Sequence, residues 1–201
     1  MKYWGVLTTN LKSNITYLKE IWFRSLFMVL VIYIFINLWQ AAYGDNERIN
    51  GLSFDQVMWY LVITETIVLS KSRIAQEIAN EVRDGLIVYS LGKPIHYVQY
   101  HIAKGLGDSL LKLMINFVAG SLLLLIVNGL FPPIGASIGL VCVVTVLSLI
   151  LDFIIGAIIG LFAFTLEDIS GLVMIYQKLL FIVGGMLIPL DFLSRHVEKL
   201  F

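Results

Sequence analysis

ASIGLVCVVTVLSLILDFIIGAIIGLFAFT, residues 136–165, carries one charge, Asp152, in thirty positions. At about 1.5 Å of rise per residue a helix of this length covers about 45 Å, more than the roughly 30 Å hydrocarbon core of a bilayer. A backbone in lipid must bond to itself, so such a stretch reads as a membrane-spanning helix. Working outward, four more apolar stretches follow the same reading, near residues 21–43, 54–72, 107–130 and 170–190. Composition agrees. Of 201 residues, 59% are hydrophobic and 14% charged, and the mean hydropathy is +0.88. That is more apolar surface than one soluble core can hide. The chain is expected to be an all-α integral membrane protein of about five transmembrane helices. Trp22 with Arg24, and Trp39 with Tyr43, mark the ends of the first span as interfacial belts.

The formal net charge is zero, so no overall field recruits nucleic acid. The distribution of charge is informative. Lys2, Lys12 and Lys19 precede span one, and Lys71, Arg73, Arg83, Lys93 and Lys104 lie between spans two and three. The other side holds only Arg48, Arg195 and Lys199. Eight against three, with Arg24 and Lys112 adding to the larger side, places the N-terminus in the cytoplasm by the positive-inside rule. The Glu167-Asp168 loop falls inside as well, but acidic residues count little in that rule. The single cysteine, Cys142, cannot form an internal disulfide and reads as packing.

Two cytoplasmic elements stand out. Tyr3, Trp4, Val6, Leu7, Leu11, Ile15 and Leu18 recur at roughly helical spacing, which suits a surface helix over 3–20; the plainer alternative is a disordered tail. Residues 71–105 form the one long polar segment. Within it Ile74, Ala75, Ile78, Ala79 and Val82 make one helical face, opposite Gln76, Glu77, Asn80, Glu81, Arg83 and Asp84, and Gly85 is a stop signal. Leu86 to Leu91 then lead to the turn Gly92-Lys93-Pro94. An apolar run ended by a rigid turn in the cytoplasm is either a docking knob or a surface helix without a partner.

Taken in order, Leu38-Trp39-Gln40-Ala41-Ala42-Tyr43, Met58-Trp59-Tyr60-Leu61-Val62-Ile63-Thr64, Glu77-Ile78, Arg83-Asp84-Gly85-Leu86-Ile87, Leu91-Gly92-Lys93-Pro94-Ile95 and Gly184-Gly185-Met186-Leu187-Ile188-Pro189-Leu190 give the chain its likeness. It resembles the permease subunits of type-two ABC exporters over nearly its whole length. The resemblance implies a single permease domain over 1–201 in a bacterial inner (plasma) membrane, exporting a hydrophobic or amphipathic, multidrug-like cargo. It further implies a second permease half, identical or homologous, and separate ABC ATPase subunits that bind ATP and Mg. The ATPase would contact Glu81, Arg83, Asp84, Gly85, Leu86, Leu91, Lys93 and Pro94. The family usually has six spans, and here the outer segment 189–201 ends where a sixth would follow; the expectation is a shortened member or a last helix absent from this sequence.

The one Gly-Lys, Gly92-Lys93, is followed by Pro94 rather than Ser or Thr, so no phosphate-cradling loop is present and the chain is not expected to be an ATPase itself. His96, His101 and His196 are isolated in sequence and read as ordinary interfacial residues, with no metal site. Insertion scales put a charge at the centre of a span at a cost of about 2.5–3.5 kcal/mol, so Glu65, Asp152 and Lys178 should face partners or a cavity. Asp152 is either a pathway-lining residue or half of an interhelical pair with Lys178, the latter favoured. Pairing with or snorkelling toward Lys71 and Arg73 accounts for Glu65, and Asp108 with Lys112 is a local pair. Gly156 and Gly160 form a close-approach pattern, read first as tertiary packing and second as a dimer seam. A self-contained secondary transporter or channel is the rival function; it calls for internal repeats or helices broken at mid-membrane, and neither is seen. A membrane-embedded enzyme calls for two facing catalytic groups, which Asp152 alone does not supply.

Overall fold

The structure, a computed structural model, describes residues 5–6, 8–9, 18–92, 94, 96–131, 138–183 and 185. Helices occupy all five expected positions: α1 (Leu18–Tyr43), α2 (Phe54–Leu69), α5 (Tyr97–Asn128), α6 (Ile138–Leu161) and α7 (Ser170–Val183). Two shorter ones, α3 (Ile74–Arg83) and α4 (Ile87–Leu91), fill the polar segment. Among the described residues, three helices are long and apolar enough to cross a bilayer, at Ser25–Tyr43, Tyr97–Asn128 and Gly139–Phe164. The helix α2 has 16 residues and α7 has 14, so both are shorter than the spans expected at 54–72 and 170–190. Nearly all of the 3–20 surface helix, all of 189–201, and Lys93 lie outside the described residues.

Two compact units divide the chain. One comprises Lys19–Leu69, Met114–Pro133 and Gln177–Phe201. Its core sets Met28, Ile32 and Ile36 of α1 against Val57, Met58, Leu61 and Val62 of α2, with Leu124 of α5. Gly120 permits the approach, since a Cβ there would lie 2.8 Å from Val62 Cγ1. Ser25 donates a buried 2.7 Å hydrogen bond to Asn116 Oδ1. Between α1 and α2 sits a small antiparallel hairpin, β1 (Arg48–Ile49) and β2 (Leu52–Ser53). Its turn residues Asn50 and Gly51 both have positive φ, 54° and 88°, the backbone that the right-handed twist of a two-residue hairpin needs. Ser53 and Gln56 then cap α2 reciprocally, Ser53 N–H donating to Gln56 Oε1 at 2.9 Å and Gln56 N–H to Ser53 Oγ at 3.4 Å. Trp39 and Tyr43, expected as an interfacial belt, are instead 8% and 3% exposed. The Tyr43 hydroxyl donates to the Leu52 carbonyl at 3.0 Å and its ring packs against Trp39 and Phe54, because the hairpin folds over them.

The other unit comprises Met1–Leu18, Ser70–Leu113 and Ile134–Tyr176. Here α3 lies against α6 and α7, with the face read from sequence turned inward: Ile74 and Ile78 pack with Leu149, Phe153 and Ala157, while Ala75 and Ala79 pack with Ile169 and Val173. The glycines of α6 make that approach possible. A Cβ on Gly156 would meet Ile74 Cγ2 at 2.5 Å, and one on Gly160 would meet Ile78 Cβ at 2.8 Å and the Ala75 carbonyl at 2.9 Å. The close-approach pattern therefore serves tertiary packing. Cys142 is exposed rather than packed; it shares its stretch of α6 with exposed Leu140, Val143, Val144 and Leu147, an apolar face whose solvent is lipid.

At 32 residues α5 is about 48 Å long, about 18 Å beyond the hydrocarbon thickness. Lys112 is its last charge and residues 113–128 have none, so the excess lies at the N-terminal end, and the first turns from Tyr97 stand outside the lipid core. Gly160→Ala is expected to destabilise the chain by about 1–3 kcal/mol through overpacking, whereas Gly139→Ala, with nothing within 4 Å, should be neutral. Thermal unfolding of the two variants in mild detergent checks this, and equal midpoints would rule out the seat.

Candidate functional site

The helix α3 is fixed at both ends and along two sides. At its start Lys71 Nζ donates to Asp152 Oδ1 at 2.8 Å, and the Tyr176 hydroxyl donates to the same oxygen at 2.7 Å. The ammonium also stands 5.8 Å from the centre of the Tyr176 ring, within cation–π reach. One buried carboxylate thus joins the segment before α3 to α6 and α7. Along its length α3 sits over Gly156 and then Gly160. At its end Arg83 Nη2 donates to the Glu167 carbonyl at 2.8 Å and lies 3.7 Å from Asp168 Oδ1. The sequence separation of the partners goes from 81 at the first bond to 84 at the last, so α3 runs parallel to α6 in one steady register. The Ser170 hydroxyl and amide hold the Asp168 carboxyl below its ordinary value of 3.8. A carboxyl so depressed favours folding above that value, and the contribution is lost as pH falls through the lowered one.

The side of α3 toward α5 is polar. Lys104 Nζ donates to Glu77 Oε2 at 2.8 Å, and the Tyr97 hydroxyl donates to Glu81 Oε2 at 3.0 Å. Between these two bonds lies the His101 ring, 1% exposed. Its Nε2 is 3.5 Å from Glu81 Oε2 and its Nδ1 3.9 Å from Glu77 Oε2.

What α3 holds in place is an apolar projection. The chain leaves α3 by hydrogen bonds from Asp84 N–H to Asn80 O at 2.8 Å and from Gly85 N–H to Val82 O at 3.2 Å, with Gly85 at φ 70°. That left-handed residue is the glycine stop read from sequence. It launches α4, where Ile87 is buried while Leu86, Val88, Tyr89 and Leu91 are 50%, 71%, 77% and 61% exposed. A family model described as ABC-2 family transporter protein matches residues 26–201. The chain belongs to that family. It is the membrane permease component of a type-two ABC transporter, a kind of protein that associates with an ABC ATPase. No curated protein and no solved structure is similar enough to match it.

On this ABC-2 permease the sequence-predicted residues fall into two groups. Asp84, Gly85, Leu86, Leu91 and Pro94 are exposed on the projection. Arg83 and Glu81 also take part in the clamps that hold α3. Of the intramembrane polar residues, Asp152 is bonded to Lys71 of the segment before α3 and to Tyr176 of α7, not to Lys178, which is exposed. The earlier start of the non-helical stretch, at Ser70, is what lets Lys71 turn to Asp152. Glu65 is 3% exposed, so snorkelling does not describe it, and Lys71 is committed elsewhere. The residues that sequence reasoning missed are Glu77, Tyr97, His101, Lys104 and Tyr176. Their signal was present in part: Glu77 and Glu81 are four apart on α3, as Tyr97 and His101 are on α5, which gives each helix one polar stripe.

Asp152→Asn is expected to lower stability by about 1–3 kcal/mol, below the 3–5 kcal/mol of a fully buried broken pair because Lys71 can reach water. Lys178→Ala should change it by less than about 0.5 kcal/mol. Comparing the unfolding midpoints of the two variants checks the assignment, and a larger loss for Lys178→Ala would overturn it.

Proposed function

We propose that this permease is the membrane half of an ATP-driven exporter in which α3 and α4 receive the motion of a separate ATPase subunit. The observation that carries the reading is the projection itself: Leu86, Val88, Tyr89 and Leu91 are held out from a helix that is locked at both ends. Four exposed apolar side chains within six residues are surface that a partner protein would cover. A rigid mount is what a transmitting element needs, since a displacement of α4 passes into α6 and α7 through the Gly156–Gly160 seat and the Asp152 bonds instead of being absorbed locally.

Asp84, Gly85, Lys93 and Pro94 would rim the contact. ATP and Mg would be bound by the partner, and the translocation pathway would form with a second permease half, identical or homologous, in a bacterial inner membrane. The apolar character of the helices favours a hydrophobic or amphipathic cargo.

Arg83 is a poor residue with which to test docking, because reversing its charge also breaks its bonds to Glu167 and Asp168. The paired change Val88→Asp and Tyr89→Asp leaves every described clamp intact. The tagged wild type in mild detergent should retain its ATPase stoichiometrically, and the double variant should lose it while keeping its unfolding midpoint. Absence of an ATPase from both samples would move the reading to a self-contained transporter.

A further inference from the structure

His101 has no role in the packing just described, yet it sits where a proton would matter. The ring is enclosed edge-on by Tyr97 and Tyr100, with centroid distances of 4.6 and 5.4 Å, and its side chain is fully buried. Neither ring nitrogen has a hydrogen-bond partner among the described residues. Each nevertheless points to a carboxylate of α3, at 3.5 and 3.9 Å, beyond the range of a well-formed bond. A buried imidazole with both nitrogens unbonded is an unsatisfied group, and such groups are rare without a reason.

The charges around it suggest the reason. The groups that face His101 are Glu77 and Glu81 of α3 and Tyr97, Tyr100 and Lys104 of α5. The one acid of α6, Asp152, is taken up by Lys71 and Tyr176. Two carboxylates and one ammonium leave a single negative charge in the cluster, which one proton on His101 cancels. Neutral imidazole offers one donor to two acceptors; imidazolium offers a donor to each. A closing movement of about 1 Å would bring both distances into bonding range.

We propose that His101 is a proton-operated latch: protonation bonds it to Glu77 and Glu81 together and tightens α3 on the first turns of α5, and deprotonation relaxes that grip. Imidazole is the one side chain whose ordinary titration falls in the range a cell can reach. Acidification would therefore stiffen the mount of α4. The consequence for transport rests on the reading of α3 and α4 as the transmitting segment; the latch itself does not.

The test uses the full chain in lipid nanodiscs with and without its ATPase, so that loss of ATPase binding and loss of the latch are separate results. Histidine side-chain NMR, with His101 assigned by its absence in His101→Gln, should show that ring taking up a proton on acidification, below its ordinary value because burial disfavours the charged ring. Hydrogen exchange of the Ile74–Arg83 amides, corrected for the intrinsic pH dependence, should slow several-fold on acidification in the wild type. The effect should vanish in His101→Gln and shrink in Glu77→Gln and Glu81→Gln. A His101 resonance unchanged by acidification down to the onset of unfolding overturns the proposal even if the variants fail to fold. So does a wild-type exchange response in His101→Gln.

Discussion

Everything around α3 in this permease depends on how closely that helix approaches α6. Two missing side chains, at Gly156 and Gly160, remove the volume that would otherwise hold the helices apart, and the branched Ile74 and Ile78 fill it. Such an approach is favourable only if the register is right, because a shift of one residue would set Ile74 against Ala157 or Ile155. Asp152 supplies the register. It precedes Gly156 and Gly160 by one and two turns on the same stripe of α6, and its bond to Lys71 fixes which residue of α3 comes first. A buried ion pair adds little net stability once its desolvation is counted, so its part here is to select one alignment that dispersion forces then stabilise.

That division of labour recurs around α3. Apolar contacts to α6 and α7 hold it, while polar contacts, Lys104 with Glu77, Tyr97 with Glu81, and Arg83 with the Glu167-Asp168 loop, determine its angle and its end. The result is a helix held on several sides, followed by a left-handed glycine and a short helix whose apolar side chains, Ile87 apart, are left exposed. Rigidity and exposure are opposite requirements, and Gly85 separates them within a single residue. The same local backbone could not be reached by a residue with a Cβ without strain.

The helical, membrane-embedded class was legible because hydropathy over long windows overwhelms every other signal, and the inward face of α3 was legible because its period is 3.6. Gly85 and the Gly156–Gly160 pattern were read correctly for the same local reason. What failed was everything that depends on which segment meets which. Asp152 was assigned to Lys178 because both lie in apolar runs, whereas the chain bends at Ser70 and delivers Lys71. Trp39 and Tyr43 looked interfacial, but the Asn50-Gly51 hairpin covers them; that dipeptide, followed by Ser53 and Gln56, was a readable turn-and-cap signal passed over within a loop. The histidines were judged by their isolation in sequence, and His101 meets its carboxylates only through the pairing of α3 with α5.

The position of the charges along α5 ties these points to the membrane. A helix of 32 residues is too long for the hydrocarbon alone, and its charged residues are gathered in the first half, where Lys104 and His101 meet α3. The second half, without a charge, packs Leu124 and Gly120 into an apolar core. One continuous helix therefore belongs to two environments. Helix propensity alone would not require this: Gly105 and Gly107 interrupt it with two weak positions. Of the two, Gly105 is retained in a helix that stays unbroken because Phe153 Cε1 and Ser72 already occupy the space its Cβ would take, at 3.1 and 3.3 Å. The tight seat of α3 thus extends to α5, whose Gly105 leaves the room for Ser72 and Phe153 that Gly156 and Gly160 leave for Ile74 and Ile78.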